Sequence, residues 1–231
     1  MTANAKLLRD IWPLYRLRLR AGHLELRVPT EAELPAFVAL VDAGIHPPDE
    51  MPFGIPWTDL PSPARERSSY QWWMRSRANW RVDDWVLTLG VWVGGLPAGF
   101  QDLRARDFPV LRTVGTGSWL GRSFQGKGTG KLMRQAVLTL AFDHLGAEVA
   151  ESKAFVDNPA SNRVSLGIGY QPDGITRSAP RGAPREQQRF RMTLEDWRAR
   201  PRPAVRVDGL ADCLDMFGLE PQSGAGRSSK T

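Results

Sequence analysis

The residues best equipped to do chemistry are Gln125-Gly126-Lys127-Gly128-Thr129-Gly130. They follow an apolar run ending in Ser118-Trp119-Leu120 and precede a stretch of helical periodicity. A strand, a glycine loop and a helix in that order make an anion site, because consecutive backbone N–H groups and the helix N-terminus converge on one ligand. Gly126, Gly128 and Gly130 leave the main chain uncovered, so a pyrophosphate can approach donors without meeting a Cβ. Lys127 and Lys131 add positive charge. Taken alone, the same six residues also read as an ordinary glycine-rich turn ahead of a helix. A second anion chemistry competes, since Gly121 to Gly128 nearly completes the nucleoside-triphosphate loop G-x-x-x-x-G-K-[ST]. It fails at Gly128, where a hydroxyl must hold magnesium, and Thr129 supplies one a residue too late. Such loops also sit in parallel sheets of alternating strands and helices, which the flanking pattern does not predict.

The surrounding elements are predicted from periodicity and breakers. Leu24 to Val28 alternates as a strand, and Pro29-Thr30 opens a helix carrying Leu34, Phe37, Val38 and Val41. His46 to Pro63 is rich in proline and reads as an ordered loop without regular structure. Ala64 to Trp80 reads as a second helix whose Trp72, Trp73 and Trp80 pack in the core. Asp84 to Val93 and Leu96 to Leu103 form a hairpin across Gly94-Gly95, and Leu111 to Leu120 continues the antiparallel meander. Gly128 to Leu145 carries the clearest helical stripe, at Leu132, Met133, Ala136, Val137, Leu140 and Ala141, and Gly146 ends it. A strand at Glu148 to Val156, a short helix at Pro159 to Ile168 and a final strand at Gln188 to Leu194 follow. The domain expectation is a catalytic domain over residues 1–197 and a C-terminal extension over 198–231. Within the extension, Arg198 to Arg206 reads as a linker, Val207 to Leu219 as one amphipathic helix and Ser223 to Thr231 as disordered.

Composition limits the function classes. The 231 residues with 42% hydrophobic content can bury a substantial core. A formal charge of +6 suits either a polyphosphate-bearing cofactor or nucleic acid. Much of the arginine lies outside the motifs and reads as solvated surface. The single cysteine, Cys213, lies among Leu214 and Phe217 and reads as a buried apolar residue; one cysteine excludes an intrachain disulfide. His23, His46 and His144 are dispersed, so no metal is expected; His144 reads as a helix-end residue. The first twenty residues are interrupted by Asp10, Pro13 and arginines before a signal-peptide core develops, and no segment reads as membrane-spanning. A cytoplasmic location follows as the expectation.

Two motifs in sequence carry a family resemblance. Gln125 to Gly130 resembles the acetyl-CoA signature [RQ]-x-x-G-x-[GA] of the GNAT N-acetyltransferase superfamily. Asn158-Pro159-Ala160-Ser161-Asn162-Arg163-Val164-Ser165-Leu166-Gly167-Ile168-Gly169-Tyr170 resembles its second signature, N-x-x-S and a helix ending in L-G-[FY]. Their order, with a strand between them, makes the pair specific, and the pattern runs from Leu24 to Leu194. It is most similar to the ribosomal-protein alanine N-acetyltransferase branch, whose related P-W motif corresponds to Pro56-Trp57. The resemblance implies an α+β fold with a mixed, mostly antiparallel central sheet flanked by helices. It also implies that the strands holding Ser118 to Leu120 and Ser152 to Val156 splay apart around the pantetheine arm. Trp119, Leu120, Gln125, Gly126, Lys127, Gly128, Thr129, Gly130, Asn158 and Ser161 are then the expected cofactor-binding residues. Leu120 supplies a backbone donor to the thioester carbonyl, where negative charge gathers in the transition state. Asn158 contacts the cofactor, caps the following helix, or does both. Ser165 falls where many members carry a tyrosine that protonates the departing thiolate; it either donates that proton or is only a helix residue.

The base that frees the amine is not supplied by the expected strand, which offers Thr113, Thr116 and Ser118. A water relay is one solution; Glu151 and Asp59 are the carboxylate choices, each with a reading as surface charge. Phe53 and Trp57, with Asp59, are expected to wall the acceptor pocket, the two aromatics reading equally as plugs of the core. The implied activity is transfer of an acyl group, acetyl first and succinyl as another possibility, from acetyl-CoA or another acyl-CoA to a primary amine. The acceptor is a small molecule or a protein N-terminus, a homodimer is the expected assembly, and neither membrane nor nucleic acid is an expected partner. The alternative is a catalytically weak GNAT-like CoA-binding protein that uses its basic surface to bind nucleic acid or a protein partner.

Overall fold

A computed structural model describes residues 3–220 of the chain. The elements in order are helix α1 (Ala3–Ile11), strands β1 (Arg18–Ala21) and β2 (Leu24–Arg27), helices α2 (Leu34–Asp42) and α3 (Ala64–Ala78), and strands β3 (Asp84–Val93) and β4 (Leu96–Arg106). The helical turn α4 (Phe108–Leu111), strand β5 (Thr113–Leu120), helix α5 (Thr129–Thr139), strand β6 (Val149–Phe155) and helix α6 (Pro159–Ile168) follow. Strands β7 (Gln171–Ser178) and β8 (Arg185–Thr193), the short helix α7 (Leu194–Arg198) and strand β9 (Arg206–Asp208) complete the described chain. The strands form one sheet in the order β7-β8-β6-β5-β4-β3-β2-β1-β9. Every neighbouring pair is antiparallel except β5 and β6.

Each face of the sheet has its own core. Helix α5 buries Met133, Ala136, Val137 and Leu138 on one face, against Leu26, Leu89, Leu103 and Val114. It continues through a π-helical turn, Leu140–His144, of which exposed His144 is the last residue. Helices α2 and α3 cover the other face with Leu34, Phe37 and Trp73, which pack on Trp92 and Phe100. The meander, the helices at 64–78 and 159–168, and the loop at 46–63 match the sequence expectation, the loop adding one 3₁₀ turn at Trp57–Asp59. Of the three tryptophans assigned to the core, Trp73 is buried but Trp72 is 46% exposed. Trp80 is partly buried and stacks on Trp85.

Four departures have local causes. The start of the expected strand at 111 is the turn α4, held between Asp107 and Arg112, both left-handed. Helix α1 and strand β1 precede the expected first strand. Strand β7 lacks any apolar alternation because it is a largely exposed edge strand, formed through backbone pairing with β8. Past Trp197, the expected helix at 207–219 is replaced by β9, which pairs with β1, and by two 3₁₀ turns, Ala211–Cys213 and Asp215–Phe217. Gly209 explains the break: its φ is +74°, and a Cβ there would stand 2.3 Å from the carbonyl oxygen of Arg16. Cys213 and Phe217 are fully buried, and burial pushes the Cys213 thiol up to about 12. The tail expected to be disordered lies outside the described residues.

Candidate active site

The single parallel pair contains a fork. Strands β5 and β6 are in register at Thr113↔Val149, Val114↔Ala150 and Gly115↔Glu151, and no pairing continues beyond Gly115. Residues 116–120 and 152–155 therefore diverge, leaving an opening in the middle of the sheet. Past the open end of the fork lies the glycine loop. Gly126 and Gly128 adopt φ of +72° and +80°, and no atom lies within 4 Å of where a Cβ would stand on either. Helix α5 starts with no side-chain cap. Among the described residues, none of the N–H groups from Gly126 to Gly130 donates to a protein acceptor. Five consecutive N–H groups at a helix N-terminus thus lack a protein acceptor, as an anion requires, although Thr129 itself is buried.

The loop's polar side chains take supporting positions. Gln125 Nε2 donates to the carbonyls of Leu120 (2.7 Å) and Ile45 (2.8 Å), pinning the loop to the end of β5. Lys127 Nζ donates to the Ser123 carbonyl. Asn158 Oδ1 accepts from the Ser161 backbone N–H at 3.1 Å and caps α6, whose first residue is Pro159. Asn162 Nδ2 holds the carbonyls of Phe155 and Val156 at the end of β6. Asn158 and Asn162 thus organise the second arm of the fork.

On the sheet face away from α5, an aromatic row runs from the proline-rich loop to the fork. Phe53 lies 5.3 Å from Trp57, Trp57 lies 6.3 Å from Trp119, and Trp119 lies 5.6 Å from Phe100. The Trp119 ring therefore lies with Phe53 and Trp57 on this face, rather than at the glycine loop. Asp59 is held in an ion pair. Arg181, in the β7–β8 turn, grips both its oxygens at 2.6 and 2.7 Å and also donates to the Pro48 carbonyl. That ion pair holds the Asp59 carboxyl below its ordinary range. Asp59 and Arg181 are a buckle between two loops. Arg185 adds a bond to the Met51 carbonyl at 2.7 Å.

A cavity of about 630 Å³ opens on this same face, with Gly115, Glu151, Lys153, Gln187 and Arg189 in its lining. It reaches the fork apex from the side opposite the glycine loop. Glu151 is exposed there. Beside the apex, Gly115 and Gly117 leave room that Arg104 and Asp102 of β4 occupy: a Cβ at 117 would stand 3.7 Å from Arg104 Nη1 and 3.9 Å from Asp102 Oδ2. Asp102 is half-buried, its Oδ1 has no hydrogen-bond partner, and burial pushes its pKa up to about 6, against the opposing influence of Thr88 and Arg104.

Beneath the fork, on the α5 face, lies Arg134. Its Nη2 donates to Ser118 Oγ on β5 (3.1 Å), and its Nη1 donates to Ser152 Oγ on β6 (3.1 Å) and Ser165 Oγ on α6 (3.2 Å). Ser165 is fully buried. Tyr170, at the end of the second signature, is buried with its hydroxyl 3.5 Å from Thr116 Oγ1.

The profile of the acetyltransferase (GNAT) domain matches residues 23–171, both signatures and the whole fork included. The chain belongs to the GNAT acetyltransferase family. Its activity is transfer of an acyl group from acyl-CoA to an amine. Solved structures agree on the GNAT fold. Mycobacterium smegmatis RimJ in complex with CoA-disulfide superposes with a TM-score of 0.66 at 19% identity, covering 87% of this chain and 92% of that one. RimL, a ribosomal-protein alpha-N-acetyltransferase in complex with coenzyme A, gives 0.61 at 20% identity, covering 76% and 97%. A Salmonella typhimurium acetyltransferase that modifies the N-terminal serine of a 50S ribosomal subunit protein gives 0.61 at 20%, covering 75% and 96%. Among the described residues, no cluster of His, Cys, Asp or Glu could hold a metal, and no helix is long and apolar enough to cross a membrane.

Three charged residues beside the fork escape a reading by motif: Asp102, Arg104 and Arg134. The signal for Arg134 is a charge on the buried stripe of α5, four residues before Leu138. Asp102 and Arg104 share a face of β4 with Phe100 and Arg106.

Proposed function

We propose that acetyl-CoA is the donor, that its pyrophosphate lies on the N–H groups of Gly126 to Gly130, and that the pantetheine arm enters the β5–β6 fork. The observation that carries this reading is the juxtaposition of five unpartnered donors with the open end of the fork. Gln125, Asn158 and Ser161 hold the two rims, Lys127 adds charge, and Thr129 and Gly130 open the helix. The Leu120 N–H takes the thioester carbonyl, stabilising the oxygen as it gathers charge.

The amine approaches from the cavity on the opposite face, past Phe53, Trp57 and Trp119. Glu151, exposed at the fork apex, draws in the ammonium form. Asp102 takes the proton as nitrogen attacks, directly or through one water, because its carboxylate lies beside Gly117 on β5 and its raised pKa suits a base working near neutral pH. Ser165 acts on the sulfur through Arg134. A protein N-terminus fits the open cavity, as do smaller amines, and the likeness to RimL and to the Salmonella enzyme that modifies an N-terminal serine favours the former. A cytoplasmic homodimer belongs to the same reading.

Thermal unfolding with and without ligand tests it. Acetyl-CoA at one hundred times its Kd adds roughly 2.7 kcal/mol of stability, and succinyl-CoA compared at equal concentration ranks the acyl chain. No shift with acetyl-CoA, succinyl-CoA or CoA removes the reading. Sedimentation at micromolar concentration checks the dimer.

A further inference from the structure

Arg134 poses an energetic question. It is 5% exposed, it has no carboxylate within 4 Å among the described residues, and its Nε has no partner. Three neutral serine oxygens are its hydrogen-bond acceptors. A guanidinium buried this way gives up its hydration without gaining an opposite charge, which an apolar residue of similar volume would avoid. Holding β5 and β6 apart does not require a cation, since a leucine or methionine fills the same space.

The reaction supplies the missing anion. When the amine nitrogen bonds to the carbonyl carbon, the C–S bond breaks and its electron pair stays on sulfur. Ser118 is the serine of the three that remains half-buried at the fork. Its oxygen accepts from Arg134, which leaves its own proton free to point into the opening.

Resting on the reading that acyl-CoA lies in the fork, we propose that Arg134 is a positioning residue that builds, through Ser118, Ser152 and Ser165, a cationic cradle for the CoA thiolate. The amine's proton goes to Asp102, sulfur leaves as the thiolate, and water protonates it after release, so no residue is left as an alkoxide. The hydroxyl of Ser118 donates to sulfur, and the guanidinium behind it stabilises the charge. Arg134 also fixes Ser165, so the buried helix serine contributes without touching the substrate.

The decisive measurement compares CoA with desulfo-CoA, which lacks the sulfur, by calorimetric titration of wild type, Arg134→Met, Arg134→Lys and Ser118→Ala. Both ligands carry the same pyrophosphate. Wild type is expected to bind CoA about tenfold more tightly than desulfo-CoA at pH 8, Arg134→Met to reduce that ratio to about two while binding desulfo-CoA normally, and Arg134→Lys to keep part of it. Turnover of acetyl-CoA falls in Arg134→Met through kcat, with KM for acetyl-CoA little changed. Equal affinity of wild type for the two ligands, or an undiminished ratio in Arg134→Met, overturns the inference. If Arg134→Met fails to fold, Ser118→Ala decides: a preserved ratio there overturns it and a reduced ratio supports it. Failure of both ligands to bind wild type removes the fork reading itself.

Discussion

Asp102 is the residue with the sharpest consequences. Its pKa of about 6 lies above the ordinary aspartate value of 3.8. As a base it must be ionised, so kcat/KM falls as pH drops through about 6. Asp102→Asn should flatten that limb and lower kcat by about two to four orders of magnitude, read from a pH–rate profile. The stability sign runs the other way. An acid whose folded pKa is raised is accommodated best when protonated, and that contribution is lost as pH rises from about 4 to about 6. At pH 8 the Asn variant should therefore unfold at a higher temperature than wild type, by on the order of 3 kcal/mol, with the gap closing below pH 4. Ser165→Ala makes a contrasting prediction: CoA affinity survives and turnover slows, because the cofactor loop is untouched while Arg134 loses one acceptor. Gly126, Gly128 and Asn158 were legible in sequence because the left-handed backbone favours glycine at the first two and the α6 cap favours asparagine at the third. Asp102 and Arg134 were not, because their meaning depends on which strand and helix face them. The ion pair of Asp59 was not legible for the same reason, since its partner Arg181 is far away in the chain.

At the scale of elements, the α5 N-terminus and the loop before it form one unit, joined at Gly128, the N-cap of the helix. Gly128→Trp puts a Cβ on a backbone of φ +80° and a ring across the five donors. It should fold with wild-type circular dichroism and show no thermal shift at acetyl-CoA concentrations that stabilise the wild type; normal CoA affinity would contradict the pyrophosphate placement. The buckle between the proline-rich loop and the β7–β8 turn works differently. Its two side chains are 36% and 38% exposed, so breaking it costs little stability. Arg181→Ala should raise KM for the acceptor while leaving KM for acetyl-CoA near wild type, since the loops it frees carry Phe53 and Trp57 on the acceptor side. The helices and the meander could be read from periodicity and glycine breakers. Strand β7 could not, because an exposed edge strand has backbone partners and no apolar pattern to announce them.

For the whole molecule, the proposed function has the sheet separate two approaches: donor from the α5 end of the fork, acceptor from the cavity on the far face. The sequence pattern spoke for the sheet's centre and fell silent at its edges, where β1 and β9 are short and their pairing partner lies at the other end of the chain. The closing segment is part of the core. Phe217 is fully buried and packs edge-on against Trp80 and Trp85, and Trp80 Nε1 donates to the Met216 carbonyl at 2.9 Å. Phe217→Ala should cost about 3–5 kcal/mol in urea unfolding, a value that a detachable extension would not give. Because β9 completes the sheet against β1, the order of synthesis matters. The glycine loop and both arms of the fork leave the ribosome while Arg18 still waits for Asp208. A nascent chain stalled before Arg206 exposes the outer edge of β1 and lacks the Phe217 plug, the state in which a chaperone has most to bind.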